Sequence, residues 1–151
     1  FLIGFLFNSY FTNSSSNKES PFNALFSRNT ERPSPTDVIK ENDIQIAEDK
    51  IIINIKNAQI SSYEDTNSMD PIFDSNHNGI EIIPNCNDLN VGDIIAYSPL
   101  WTQGIVVHRI ILIDRDNEGL IFTTKGDNSN IYDPQIIRCS EIKYQLIGVL
   151  Y

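Results

Sequence analysis

Ser68 lies in the short polar stretch TNSMDPIF, Thr66 to Phe73, just before an apolar Ile-Phe pair. A serine in such a place is ordinarily turn punctuation, as is Asp-Pro. It is also where a nucleophile can be presented, but a serine hydroxyl reacts only if a general base takes its proton. The chain holds two histidines, His77 and His108. His77 sits in SNHNG, a polar turn, and is expected to be exposed. His108 sits inside IVVHRII, an ionisable pair within an apolar run. On a strand, His108 and Arg109 point to opposite faces. An imidazole among Val and Ile costs free energy unless it is hydrogen-bonded. The bland reading is a core histidine satisfied by a backbone carbonyl. The sharper one is a base for Ser68.

The elements that must hold these residues read as strands and tight turns. DIQIAEDKIIINIKNAQI alternates apolar and polar residues and predicts a hairpin over 43–59, with Ile44, Ile46, Ile51, Ile53 and Ile55 on one face and a turn at Glu48-Asp49-Lys50. Further strands are expected at IEII (80–83), VGDIIAYS (91–98), GIVVHRIILID (104–114), LIFTTKG (120–126) and QLIGVLY (145–151), separated by HNG, DRDNEG and GDNSN. A second hairpin is expected to turn at Asp116-Asn117-Glu118-Gly119. No helix of useful length is expected after residue 45, and no internal repeat is seen. Residues 12–40, rich in Ser, Asn, Pro and charge, read as a linker with one weak apolar patch, PFNALF.

The chain of 151 residues fits one ordinary domain. Eleven Lys+Arg against 20 Asp+Glu give a formal net charge of −9, which argues against nucleic acid as a partner. Cys86 and Cys139 form no CxxC pair and lie near no histidine at ligand spacing, so no metal site is expected. They are two buried thiols or one disulfide; an exterior location favours the disulfide. The opening FLIGFLF is too short for the ~20 apolar residues a bilayer crossing takes. It is expected to be the outer end of a membrane anchor (1–11), with Tyr10 and Phe11 at the aromatic interface, rather than a short helix packed on the domain. No small-residue pattern follows it that would mark a removed signal peptide.

The ordered set Asn67-Ser68-Met69-Asp70-Pro71, Gly92-Asp93, Val107-His108-Arg109, Lys125-Gly126-Asp127-Asn128 and Asp133 resembles the type I signal peptidases, in particular their archaeal and endoplasmic-reticulum branch with a Ser-His arrangement. Each piece is short; their order carries the resemblance, from about Ser62 to Tyr151. The resemblance implies a mainly β fold of the signal-peptidase and LexA-like kind, with the catalytic domain at 41–151. It makes Ser68 the acylating nucleophile and His108 the general base, in the place that common bacterial members give to lysine. Asp133 is the preferred partner that orients His108, with Asp127 as the supporting acid, though either could reach the ring. Lys125 belongs to the box and is structural. Where many relatives have Ser-Gly before the nucleophile, this chain has Thr66-Asn67. Thr66 keeps a hydroxyl to support an oxyanion hole with the Ser68 N–H, and Asn67 tolerates a positive φ.

The implied activity is that of a membrane-anchored serine endopeptidase that removes signal peptides from exported preproteins, without cofactor. An ordinary histidine, titrating near ~6.5, suits such acyl transfer. The preprotein would bind as an added strand beside 62–68 and the 104–107 edge, in shallow apolar pockets for small side chains, with Ile72, Phe73 and Val106 as lining candidates. For each of these three, core packing is the plainer reading. The expected location is a membrane, with the catalytic domain on its extracytoplasmic side. The alternative is a non-catalytic signal-peptidase-like protein that binds peptides or serves in a membrane complex. A LexA-like self-cleaving repressor would need a lysine where His108 stands.

Overall fold

The computed structural model describes residues 32–151. The expected anchor at 1–11 and the first part of the expected linker, PFNALF included, lie outside the described residues. Among the described residues, no helix is long and apolar enough to cross a membrane; the only helical elements are 3-10 turns at Glu41–Asp43 and Cys86–Asp88.

Among the described residues, nine strands form two antiparallel sheets. β1 (Ile44–Ile46) and β2 (Ile51–Ile53) pair as the expected hairpin, closed by the Ala47 N–H donating to the Lys50 carbonyl. The hairpin is a two-stranded sheet of its own. Its isoleucines face outward: Ile46 is 84 % exposed and Ile51 66 %. The amphipathic pattern is real, but the described chain does not cover its apolar face.

The other seven strands are β3 (Gln59–Ser62), β4 (Asn78–Ile82), β5 (Ile94–Tyr97), β6 (Val106–Asp116), β7 (Gly119–Lys125), β8 (Ile137–Arg138) and β9 (Ile142–Leu150). They are ordered β3-β4-β9-β5-β6-β7-β8 in one curled antiparallel sheet, a half-barrel. The mainly β class is as the alternation predicts. The β6–β7 hairpin turns where DRDNEG predicts it, with Asp116 opposite Gly119, and Gly119 adopts φ 127°. Sequence reading missed β3, which it folded into the end of the first hairpin, and the two-residue β8.

β5 is buried at every position, as a strand covered on both faces must be. Ile95 and Tyr97 face one cluster with Leu89, Ile110, Phe122 and Ile137. Ile94 faces the other with Met69, Phe73 and Leu146. A disulfide joins Cys86 to Cys139, which resolves the open choice between thiols and bridge.

The segment 33–36 is not a free linker. The Thr36 N–H donates to Asp93 Oδ1 (2.6 Å), and Arg109 Nη1 donates to the Pro33 carbonyl (3.2 Å). A Cβ on Gly92 would lie 2.3 Å from the Ser34 carbonyl oxygen, so only glycine lets this segment lie so close.

Candidate active site

In the β5–β6 ladder, His108 stands opposite Ile95 and therefore on the same face as Ile95 and Tyr97. Thr124 of β7 stands opposite Ile110 and shares that face. Asp133 comes to this face because its N–H donates to the Thr124 carbonyl (2.9 Å), folding the 126–133 loop back on β7. The loop is tied internally by Lys125 Nζ, which donates to the carbonyls of Gly126 (3.2 Å) and Ser129 (2.7 Å).

These placements create a chain of polar groups. His108 Nδ1 lies 2.9 and 2.8 Å from the two Asp133 oxygens. The Tyr97 hydroxyl donates to Asp133 Oδ2 (2.7 Å), and the Thr124 hydroxyl donates to Tyr97 (3.1 Å). The imidazole and the carboxylate keep only 11 % and 9 % of their side-chain exposure. Burial pushes the Asp133 carboxyl up, but hydrogen bonds from His108, Thr124 and Tyr97 outweigh it and hold it below the usual carboxylate range. Burial, with the neighbouring Asp133 and Glu141 charges, holds the Tyr97 phenol well above its ordinary value, so it remains a donor. With Nδ1–H donated to the carboxylate, Nε2 is left as an acceptor.

Arg109 takes the opposite face, as strand alternation predicts. Its Nε and Nη2 clamp Asp127 at 2.8 and 2.6 Å, and its Nη1 also reaches the Gly92 carbonyl (2.7 Å). Both partners are almost fully buried. Of the two aspartates considered for the ring, Asp133 is the one on His108, and both Asp127 oxygens are taken by Arg109.

The backbone of Ser68 and the ring of His108 both pack against Gly126. A Cβ on Gly126 would lie 2.7 Å from the Ser68 carbonyl oxygen and 3.1 Å from His108 Nε2. Glycine thus lets the Ser68 loop and the ring close on one point. Asn128 fixes the loop there: its N–H donates to the Ser68 carbonyl and its amide to the Asn67 carbonyl, both at 3.0 Å. Asn67 adopts φ 56°, the positive φ its side chain tolerates. Asp74 Oδ1 accepts from the N–H groups of Thr66 (3.2 Å) and Asn67 (3.3 Å). Thr66 Oγ1 lies 3.2 Å from Ser68 Oγ and accepts a long bond from the Ser68 N–H (3.4 Å). The Asp70–Pro71 peptide is cis.

Ser68, Thr66 and His108 line one cleft of about 640 Å³. One wall is β3 and residues 63–68; the other is 101–107, with Trp101, Ile105 and Val106. Val106 and Phe73 line it, though Phe73 is 4 % exposed and stacks on Tyr63 with ring centroids 4.2 Å apart. Ile72 packs against the Met69–Phe73 cluster and does not line the cleft. His77 is a correction: it is half-buried, with Nδ1 accepting from the Asp74 N–H (2.9 Å) and its ring edge-on to Tyr151. Sequence reading missed Tyr97, Thr124 and the spacer role of Gly126. Tyr97 and Thr124 sit in ordinary strand runs, and nothing in such a run marks which hydroxyl meets an acid across the sheet.

No protein-family model, no curated protein and no solved structure matches this chain.

Proposed function

We propose that this protein is a serine endopeptidase of the type I signal-peptidase kind, acting by acyl transfer. The observation that carries the reading is His108, bonded to Asp133 through Nδ1, sharing a cleft with the half-buried Ser68. In this mechanism Ser68 Oγ attacks the scissile carbonyl and gives its proton to His108 Nε2. Asp133 holds the tautomer and stabilises the imidazolium that forms. His108 then protonates the leaving amine. Water, deprotonated by the same ring, hydrolyses the acyl-enzyme and restores Ser68. The oxyanion displaces the long bond between the Ser68 N–H and Thr66 and takes that N–H, with the Thr66 hydroxyl as second donor. The substrate lies as an added strand between β3 and 101–107. Strand β3 on one side of the 640 Å³ groove and the start of β6 at Val106 on the other support this mode of binding.

The substrate is a preprotein, and the site works at a membrane on its extracytoplasmic side. The Cys86–Cys139 disulfide supports the location, since such bridges persist in oxidising compartments. The test is cleavage, in detergent, of a preprotein with a small-x-small site. The chain is expected to cut after the small residue, and Ser68→Ala and His108→Ala to be folded but inert. An inert parent chain, or an active Ser68→Ala, would overturn the mechanism.

A further inference from the structure

The cleft has an acid that the proposed chemistry does not use. Glu81 of β4 stands opposite Gln59 of β3, so both side chains share one face, and both line the cleft. Glu81 is 2 % exposed. A carboxyl group so buried is costly unless its oxygens are satisfied. Gln59 Nε2 donates to Oε2 (3.2 Å), and among the described residues no salt bridge reaches this side chain. Every side-chain oxygen sealed from solvent among the described residues has a hydrogen-bond partner. The Tyr63 hydroxyl also hydrogen-bonds to the Glu81 carboxylate, so among the described residues its charge meets neutral donors and no cation.

The neighbours extend this polarity. Ser61 and Tyr63 follow Gln59 along the same wall at alternate positions, and the Ser61 hydroxyl donates to the Tyr63 hydroxyl (3.4 Å). Burial, helped by the Glu81 charge, pushes the Tyr63 phenol up to about 12, so it stays neutral. Gly79 makes the room: a Cβ there would lie 1.8 Å from the Tyr63 hydroxyl oxygen. The opposite wall carries Trp101, Ile105 and Val106 beside Thr102 and Gln103. One wall thus offers a carboxylate in a low-dielectric groove, and the other offers cover for an aliphatic stem. A lysine or arginine side chain matches both.

We infer that Glu81, with Gln59 beside it, forms a subsite that selects a basic side chain of the bound peptide, away from the scissile bond. This takes from the peptidase reading only that the ligand is a peptide. The test therefore measures binding to Ser68→Ala, by fluorescence anisotropy, with a labelled alanine-rich peptide carrying a small-x-small motif. One lysine or one norleucine is scanned through its positions. At one position lysine is expected to bind about tenfold tighter than norleucine, the scale of one charge-assisted hydrogen bond. Adding Glu81→Gln is expected to abolish that ratio, and Gln59→Lys to abolish it by placing an internal cation beside the carboxylate. Equal affinities at every position would overturn the subsite without any further variant, and so would a lysine preference that survives Gln59→Lys. Cleavage by the parent chain with no lysine preference removes the subsite and leaves the peptidase. A Glu81-dependent preference with no cleavage does the reverse.

Discussion

Two aspartates six residues apart do different physical work. Asp133 orients a ring; Asp127 neutralises a buried guanidinium. Asp133→Asn keeps the shape but offers His108 Nδ1 an ambiguous partner, so the rate of preprotein cleavage is expected to fall by about three to four orders of magnitude while the fold persists. Asp127→Ala leaves the Arg109 charge buried and is expected to cost about 3–5 kcal/mol of stability in denaturant unfolding. Equal effects of the two changes on stability would contradict this division. Acid separates them again. The Asp133 carboxyl is held below its ordinary value, so the unfolded chain takes up that proton more readily than the folded one. Its contribution to stability is complete above the unfolded value of ~3.9 and is lost as pH falls through the lower folded value. Melting temperatures followed from pH 5 down to pH 2 should fall for the parent chain and fall less for Asp133→Asn. Asp74 and Asp116 are also held low, but they are present in both proteins and cancel in the comparison.

At the scale of elements, the site depends on how closely the Ser68 loop and the 126–133 loop approach. Gly126→Ala inserts a methyl against the Ser68 carbonyl and His108 Nε2. It is expected to lower kcat at least about tenfold with little change in melting temperature, because a misplacement of about 1 Å at reacting groups can cost up to ~100-fold. Unchanged kcat would mean that the loop yields freely. The strands β4 to β7 and β9 were legible because alternation and turn residues bracket them. His108 and Arg109 were assigned to opposite faces for the same reason. β3 and β8 were not legible: one continues a polar stretch and the other is two residues long. Tyr97 was hidden because a buried strand shows no period that separates a packing ring from a donating hydroxyl. The basic-side-chain subsite was hidden for a similar reason. Glu81 within IEII reads as the polar half of an alternating strand, and only the curl of the sheet turns that half into a groove wall. On the β3 side the cleft is lined by the polar Gln59, Ser61 and Glu81, beside the shallow apolar pockets expected for small side chains.

For the whole molecule, the disulfide is the long-range tie. Cys86 lies before β5 and Cys139 between β8 and β9, 53 residues apart in sequence. A bridge closing a loop of that size restricts the unfolded chain by on the order of 4 kcal/mol in the loop-entropy picture. Denaturant unfolding with and without reductant should show a loss of that order. No loss on reduction would mean that packing alone holds the two ends. The sequence left the pairing open because spacing says nothing about which distant strands the sheet brings together.

The clamped segment Pro33–Thr36 bears on how the molecule can be trimmed. A digest with a nonspecific protease should spare Pro33–Thr36, and cutting just before Glu41, where the linker reading would put the boundary, would contradict the clamp. Shortening the gene to start at residue 41 would take the Thr36 donor from the wholly buried Asp93 and one carbonyl from Arg109. The segment looks dispensable in composition, because it contributes backbone atoms and no side-chain core. For the expressed fragment it is the first thing worth keeping.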